Sequence, residues 1–384
     1  MMSASLQMSR RIRRTPYTAC VEKSGITGFT VVNHTLLPKA YQHSVIEDYY
    51  HLKEYVQIWD VGCQRQVKIK GQDAEFLIQK ITPRDISKTK IGQCLYIPLI
   101  NGEGKIINDP ILLKLENDHF WLSIADSDIL LWVKGLSTGM GLNVKVEEPD
   151  VSPLAIQGPY SEDLMVEIFG NNIKKLKFFN FNYFDFKNTK QLISKSGYSS
   201  QLGFEIYLNN SKLGEKLWDT ICSFGKKYNL RPGAPNLIDR IEAGLLSFGN
   251  DMTSENSPLE CGFEKYCALS SDIDFIGKAK LKSEKNIGPK LKLCGIAFGG
   301  EAQSACTIPW PIYFNNLKIG EITSGIYNPS LKVNTGIALV MTENLDKLST
   351  VKVKALNSKI TEGVICSLPF TISKNYELIN QIRY

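Results

Sequence analysis

The chain of 384 residues lacks any stretch approaching the roughly 18 to 20 consecutive apolar residues that a membrane-spanning helix needs. Arg10, Arg11, Arg13 and Arg14 lie near the start, but no apolar segment follows them, so no export signal is read there. A solvated basic arm fits these arginines better than an address or an anion-binding patch. No two cysteines have Cys-x-x-Cys spacing. The nine (Cys20, Cys63, Cys94, Cys222, Cys261, Cys267, Cys294, Cys306 and Cys366) are scattered and odd in number. That suits buried thiols in a reducing, cytoplasmic setting, not a disulfide frame or a zinc site. Histidine is scarce, and His34, His43, His51 and His119 stand at no metal-ligand spacing from cysteines, so no metal is expected. Neither sign of charge dominates. The 45 basic and 39 acidic residues leave +6, too mild and dispersed for nucleic acid, though compatible with a small anionic ligand. The phosphate-binding G-x-x-x-x-G-K-[ST] loop and the G-x-S-x-G elbow are missing. The cluster Gly135, Gly139, Gly141 follows a helical pattern where a dinucleotide loop must open one. Nucleotide, nicotinamide and serine-hydrolase chemistry therefore has little support.

What is present is ordinary globular composition, 43% hydrophobic and 22% charged, with a length suited to two or three domains. From Gln66 to Ala125 the pattern is strands and hairpins. Val67 and Ile69 alternate with polar neighbours, and Asn101-Gly102-Glu103-Gly104 separates two apolar runs. Asp73 and then Ser127 or Asp128 stand where helices can start. Residues 160–169, 211–228 and 239–248 have helical spacing. From Leu291 onward short strands alternate with turns, which suggests a small barrel or sandwich. Lys282 to Lys290, charged and containing Gly288-Pro289, has the composition of a linker. The expected division is residues 1–285, with an inserted lobe around 60–150, followed by a strand-rich unit over 286–384.

Several segments in order resemble the aminomethyltransferase (glycine-cleavage T-protein) family. They are Trp59-Asp60-Val61, the hairpin Asn101 to Asp109, Gln157-Gly158-Pro159, Ser196-Gly197-Tyr198 through Gly203-Phe204-Glu205-Ile206-Tyr207, Asp239-Arg240-Ile241-Glu242-Ala243-Gly244, Pro258-Leu259-Glu260, Asp274 to Lys278, and Gly320 to Gly325. The resemblance runs from about Trp59 to Val340. It implies an α+β, three-lobed fold with a C-terminal β-barrel-like domain, and tetrahydrofolate as co-substrate. Within the family, Ser9 to Pro16, Val32-Asn33-His34, Asn108-Asp109-Pro110 and Ser123 to Asp128 are similar to the branch that demethylates dimethylsulfoniopropionate. That branch transfers a methyl group from a small sulfonium to N5 of folate. A homodimer is compatible with it. Another donor, such as a methylated amine or a lipoyl adduct, and a non-enzymatic folate binder are the alternatives.

The residues can be weighed singly. Glu205 and Tyr207, two apart, share one side of a strand. As residues alone they fit an ordinary strand with a surface carboxylate. The resemblance makes Glu205 a clamp for the pterin's paired N–H donors and Tyr207 a wall. Asp109 precedes Pro110, which interrupts strand pairing, and a plain turn residue is the simple reading. The resemblance makes Asp109 the functional carboxylate, while Asn108 stands where the family has a second Asp. Tyr96, Trp121 and Tyr198 are aromatic faces that could cage a cation, though each is more often core. Tyr96 is the strongest of these for both folate and substrate. Arg240 could meet a carboxylate of folate or substrate, or pair with Glu242 or Asp239 on a helix surface. Ser123 could hydrogen-bond the substrate carboxylate, or be a buried strand serine.

Overall fold

The computed structural model describes residues 7–345, 350–356, 359–370, 376–380 and 382. Three sheets organise the chain, with a two-stranded ribbon, Gly28–Val32 with Thr35–Ala40, ahead of them. The central sheet is six-stranded, ordered Phe181–Phe186, Thr189–Ser194, Gly203–Asn209, Val151–Gln157, Gln57–Asp60 and Arg231–Gly233. A five-stranded sheet is built from Lys145–Glu147, Gln66–Lys70, His119–Ser123, Ile111–Glu116 and Cys94–Tyr96. The third sheet closes into a six-stranded barrel spanning Leu291–Phe298 to Thr361–Cys366. The α+β, three-lobed arrangement and the C-terminal barrel agree with the sequence reading.

The five-stranded sheet separates two cores by simple alternation. Val67, Ile69, Leu112, Phe120 and Leu122 face the helices Ala74–Ile81 and Ile129–Gly139. Cys94, Leu113, Leu115 and Trp121 face the other way and pack against Leu192 and Tyr207 of the central sheet. This second face becomes one wall of the site.

The long hairpin is broken in the middle. Cys94–Tyr96 pairs with residues 111–113, and Leu99–Ile100 pairs with Ile106–Asn108. Pro98 and Pro110 fall in the gap, where neither can donate to a ladder. Ile97 still donates to the Pro110 carbonyl at 3.0 Å, so the strands stay together while the ribbon bends. Asp109 sits at the bend.

Three local expectations differ from the structure. Residues 282–290 are not a linker, because Lys278–Ile287 is a helix between Gly277 and Gly288, both at positive φ. Its lysines, Ala279, Leu281 and Glu284 are good helix formers, and Leu281 is fully buried over the tip of the long hairpin. The helix expected over 239–248 is Leu237–Ala243. Asn236 caps its start by accepting from the backbone N–H groups of Ile238 and Asp239, and Gly244 in the left-handed region ends it. The N-terminal segment is not a free arm. Thr15 donates to buried Asp60, Tyr17 is fully buried, and residue 13 bonds to residues 34 and 36 through its backbone. The arginine side chains at 10, 11, 13 and 14 remain exposed.

Candidate functional site

The strand Gly203–Asn209 runs between Val151–Gln157 and Thr189–Ser194, so all its residues but the last are buried. Glu205 is 6% exposed, which removes the surface-carboxylate alternative. Its register partner is Ser194, and the Ser196 hydroxyl donates to Glu205 Oε2 while contacting the Ser194 hydroxyl. Burial holds the Glu205 carboxyl above the usual carboxylate range, against the lowering effect of Ser196. Two residues on, Tyr207 is enclosed on the same side. Its ring lies 6.4 Å from that of Trp121, tilted by 46°. Ser123 and Ser194 both interact with its hydroxyl.

The five-stranded sheet packs against this strand. Ser123 is opposite Gln66 in register, and Gln66 Nε2 donates to Ser123 Oγ at 2.9 Å. Gln66 Oε1 and Trp121 Nε1 are buried with no hydrogen-bond partner among the described residues. Such groups are costly unless a further partner arrives.

Asp109 forms the other end of the site. The Tyr96 hydroxyl donates to Asp109 Oδ2 at 3.0 Å, while Oδ1 is enclosed and has no partner among the described residues. Burial pushes the Asp109 carboxyl up to about 7; Tyr96 and the backbone N–H of Asp109 oppose the rise, and the charge of Asp251 adds to it. Tyr96 itself packs edge-on against Phe263 at 5.4 Å and Tyr266 at 5.5 Å. The Tyr198 hydroxyl donates to the Leu246 carbonyl at 2.6 Å, and its field reaches Asp109 and Arg240.

Arg240 stands differently from either sequence alternative. It is buried, donating to Asp251 at 2.6 Å, to the Leu245 carbonyl at 2.8 Å and to Ser324 Oγ at 2.6 Å. Glu242 pairs instead with Lys53 at 2.8 Å, and Asp239 accepts from Ser200. Asp251 also accepts from Thr323 at 2.8 Å, so the pair bolts the barrel strand Leu317–Asn328 to the rest of the molecule. Arg240 is therefore held by Asp251, the Leu245 carbonyl and Ser324, and not by the helix-surface carboxylates Glu242 or Asp239.

The fold thus brings Trp121, Ser123, Glu205 and Tyr207 to the packed seam between two sheets, while Tyr96 joins Asp109, Phe263 and Tyr266, and Tyr198 lies within electrostatic reach of Asp109. Sequence reasoning gave no role to Ser196, Gln66, Phe263, Tyr266 or Asp251. Their signals were latent, because each acts through a register or a crossing between segments distant in sequence. Chemically, the site offers two separated carboxyl groups. One carries a free oxygen beside aromatic rings, which suits a cation or a departing proton. The other is a buried acceptor able to take paired N–H donors.

This architecture defines a family. The chain belongs to the glycine-cleavage aminomethyltransferase family: the model described as GCVT N-terminal domain matches residues 19–271. The chain is 44% identical over 337 residues to the dimethylsulfoniopropionate demethylase DmdA of Ruegeria pomeroyi, covering 88% of this chain and 92% of that protein. It is 31% identical to an aminomethyltransferase of Thermoanaerobacter sp. strain X514, over 87% of this chain and 91% of the relative. The crystal structure of the glycine cleavage system aminomethyltransferase T from Bartonella henselae has the same fold, with a TM-score of 0.82 at 22% identity, covering 94% of this chain and 98% of that one.

Proposed function

We propose that this protein demethylates dimethylsulfoniopropionate, moving one methyl group from sulfur to N5 of tetrahydrofolate and releasing methylmercaptopropionate and 5-methyltetrahydrofolate. The observation that carries the reading is Asp109, a buried carboxyl with one unpartnered oxygen, hydrogen-bonded to Tyr96, whose ring packs against Phe263 and Tyr266. A carboxylate beside aromatic rings attracts a sulfonium, and a dry setting strengthens that attraction. The 44% identity to the demethylase supports the same substrate.

The reaction needs little acid–base machinery. The N5 lone pair attacks the methyl carbon, the S–CH3 bond breaks with its electrons remaining on sulfur, and the thioether leaves neutral. N5 sheds one proton, which Asp109 receives directly or through water. Alignment of the two partners supplies most of the remaining advantage. Glu205 takes the pterin donors, Tyr207 walls the ring, and Trp121, Ser123, Tyr96 and Tyr198 line the sulfonium side. Buried Glu205, with Ser196 as its hydroxyl donor, fits a flat ligand presenting paired N–H groups. Folate-binding residues would then fall in 1–285, with 60–150 as the inserted lobe, and 286–384 would form the barrel unit. The setting is cytoplasmic sulfur metabolism and the assembly a homodimer. No helix among the described residues is long and apolar enough to cross a membrane.

The test is incubation with tetrahydrofolate and a panel of sulfonium, methylated-amine and thioether donors, with products read by mass spectrometry. Formation of 5-methyltetrahydrofolate from the sulfonium supports the reading. Product only from methylated amines, or from no donor, overturns it in favour of the other branches of the family.

A further inference from the structure

Asn108 precedes the functional carboxylate and is completely buried, yet every polar group of its side chain is in use. Its Oδ1 accepts two backbone N–H bonds, from Asp109 at 3.0 Å and from Ala125 at 3.0 Å. Its Nδ2 donates to Ser127 Oγ at 2.8 Å, and Ser127 Oγ passes its own hydrogen to the Ile107 carbonyl at 2.7 Å. The bonds form a closed ring between residues 107–109 of the bent hairpin and the segment Ser123 to Ser127. The far side of that segment is held by a second asparagine. Asn33 Nδ2 donates to the Ala125 carbonyl at 2.9 Å, and the Asn33 N–H donates to Asp126 at 2.7 Å.

We infer that Asn108 is a positioning residue of the methyl-transfer site, one that fixes Asp109 relative to the Ser123–Ser127 segment and keeps Asp109 the single ionisable group of the hairpin bend. This deepens the proposed function and rests on it for the reaction.

The direction of the hydrogens carries the argument. Ser127 has one hydrogen, and Ile107 takes it, so the group at position 108 must donate. An amide does this while accepting from two N–H groups. A carboxylate accepts as well or better but donates nothing. Ser127 must then turn its hydrogen towards residue 108, which strips the Ile107 carbonyl of that donor. A carboxylate at 108 also adds a negative charge one residue from Asp109 in a poorly solvated place, and like charge disfavours ionisation of the neighbour. The ionisable groups around Asp109 are Tyr96 from the hairpin, Tyr198 from the loop after Ser194, and Asp251 and Cys261 from the segment after Gly244. None is a cation, so nothing in that set offsets a second carboxylate.

The experiment uses the full chain and compares the parent with Asn108→Asp and Ser127→Ala. For Asn108→Asp the acid limb of kcat/KM for the sulfonium is expected to move up by about one pH unit or more, with transfer near pH 7 reduced about tenfold and recovering as pH rises. Folate-induced thermal stabilisation should be unchanged. Carboxyl 13C NMR, with Asp109 assigned by difference from Asp109→Asn, should show the same upward move of its titration in the absence of substrate. Ser127→Ala should lower kcat severalfold, with the acid limb and the folate KM unaltered. Coincident titration of Asp109 in parent and Asn108→Asp overturns the charge part. Parent-like kcat in Ser127→Ala overturns the positioning part. If the parent transfers no methyl group, the proposed function fails. The titration still decides the charge part, and if Asn108→Asp does not fold, the unaltered limb and lowered kcat of Ser127→Ala decide the positioning part.

Discussion

The Tyr96 hydroxyl holds Oδ2 of Asp109 at 3.0 Å and leaves Oδ1 enclosed without a partner among the described residues. One half of the carboxylate is anchored and the other is free. Anchoring fixes the direction of the charge, and the free oxygen is where a ligand's positive charge or proton can settle.

Asp109→Asn keeps the shape and removes the charge. Methyl transfer is expected to fall roughly a hundredfold or more, a cost of about 3 kcal/mol, as for one lost electrostatic contact in a dry site. Folate binding should change little. Rates of 5-methyltetrahydrofolate formation check this, and equal rates in parent and variant would remove Asp109 from the mechanism.

The same substitution should stabilise the fold at neutral pH. The Asp109 carboxyl is raised from 3.8 to about 7, so the folded state binds a proton that the unfolded state has already lost. The resulting stability is fully present below the unfolded pKa and is lost as pH rises through the folded one. Thermal unfolding from pH 5 to 8 should show the advantage of Asp109→Asn growing with pH. An advantage that is flat or shrinking would contradict the burial of this charge.

The pH profile of catalysis follows from the same group. In the free enzyme Asp109 is half protonated near pH 7, so kcat/KM for the sulfonium should fall about tenfold per unit on the acid side of that point. A bound cation favours the carboxylate, so the limb of kcat should lie at lower pH. Stopped assays at saturating and limiting substrate separate the two limbs. An uncharged methyl thioether should give no product at any pH.

Glu205→Ala should abolish most of the thermal stabilisation that reduced folate confers by mass action. The carboxyl is buried with Ser196 donating to it, so the variant loses the acceptor and leaves a polar hollow. A folate-induced shift equal to the parent's would reassign the pterin clamp.

Asp251→Ala strands the Arg240 guanidinium in the interior, and a loss of about 3–5 kcal/mol is expected. Arg240→Met combined with Asp251→Leu removes both charges and should cost much less. Denaturant unfolding of the two variants distinguishes them.

The parts legible in the sequence are local ones. The alternation of Val67 and Ile69, the turn at 101–104, and the pairing of Glu205 with Tyr207 on one strand side need only short-range spacing. The resemblance extended them to an ordered set. The Ser196–Glu205 contact needs the register of two strands, and the Arg240–Ser324 contact joins a helix to a barrel strand 84 residues later. No spacing rule reaches that far, so the bonds that join Arg240 to Asp251 and Ser324 are not legible in the sequence, which offers only a ligand carboxylate, Glu242 or Asp239 as partners. The helix over 278–287 was misread because its lysines and glutamate serve a solvated helix face as well as a linker.

The contact layer between the two sheets has a consequence of its own. In the proposed reaction Glu205 of the central sheet grips the acceptor, and Asp109, hung from the five-stranded sheet, draws in the donor. Between these two sheets lies a dry seam in which Cys94, Leu113 and Trp121 meet Leu192 and Tyr207. The path the methyl group crosses is then gauged in part by Cys94, Leu113 and Leu192, side chains given no contact with either ligand, as the opening of a caliper is set by its screw. Leu113→Ala, remote from both carboxyls in chemistry, should narrow or skew that opening and slow transfer while both ligands still bind, because misplacement of about 1 Å can cost a hundredfold in rate.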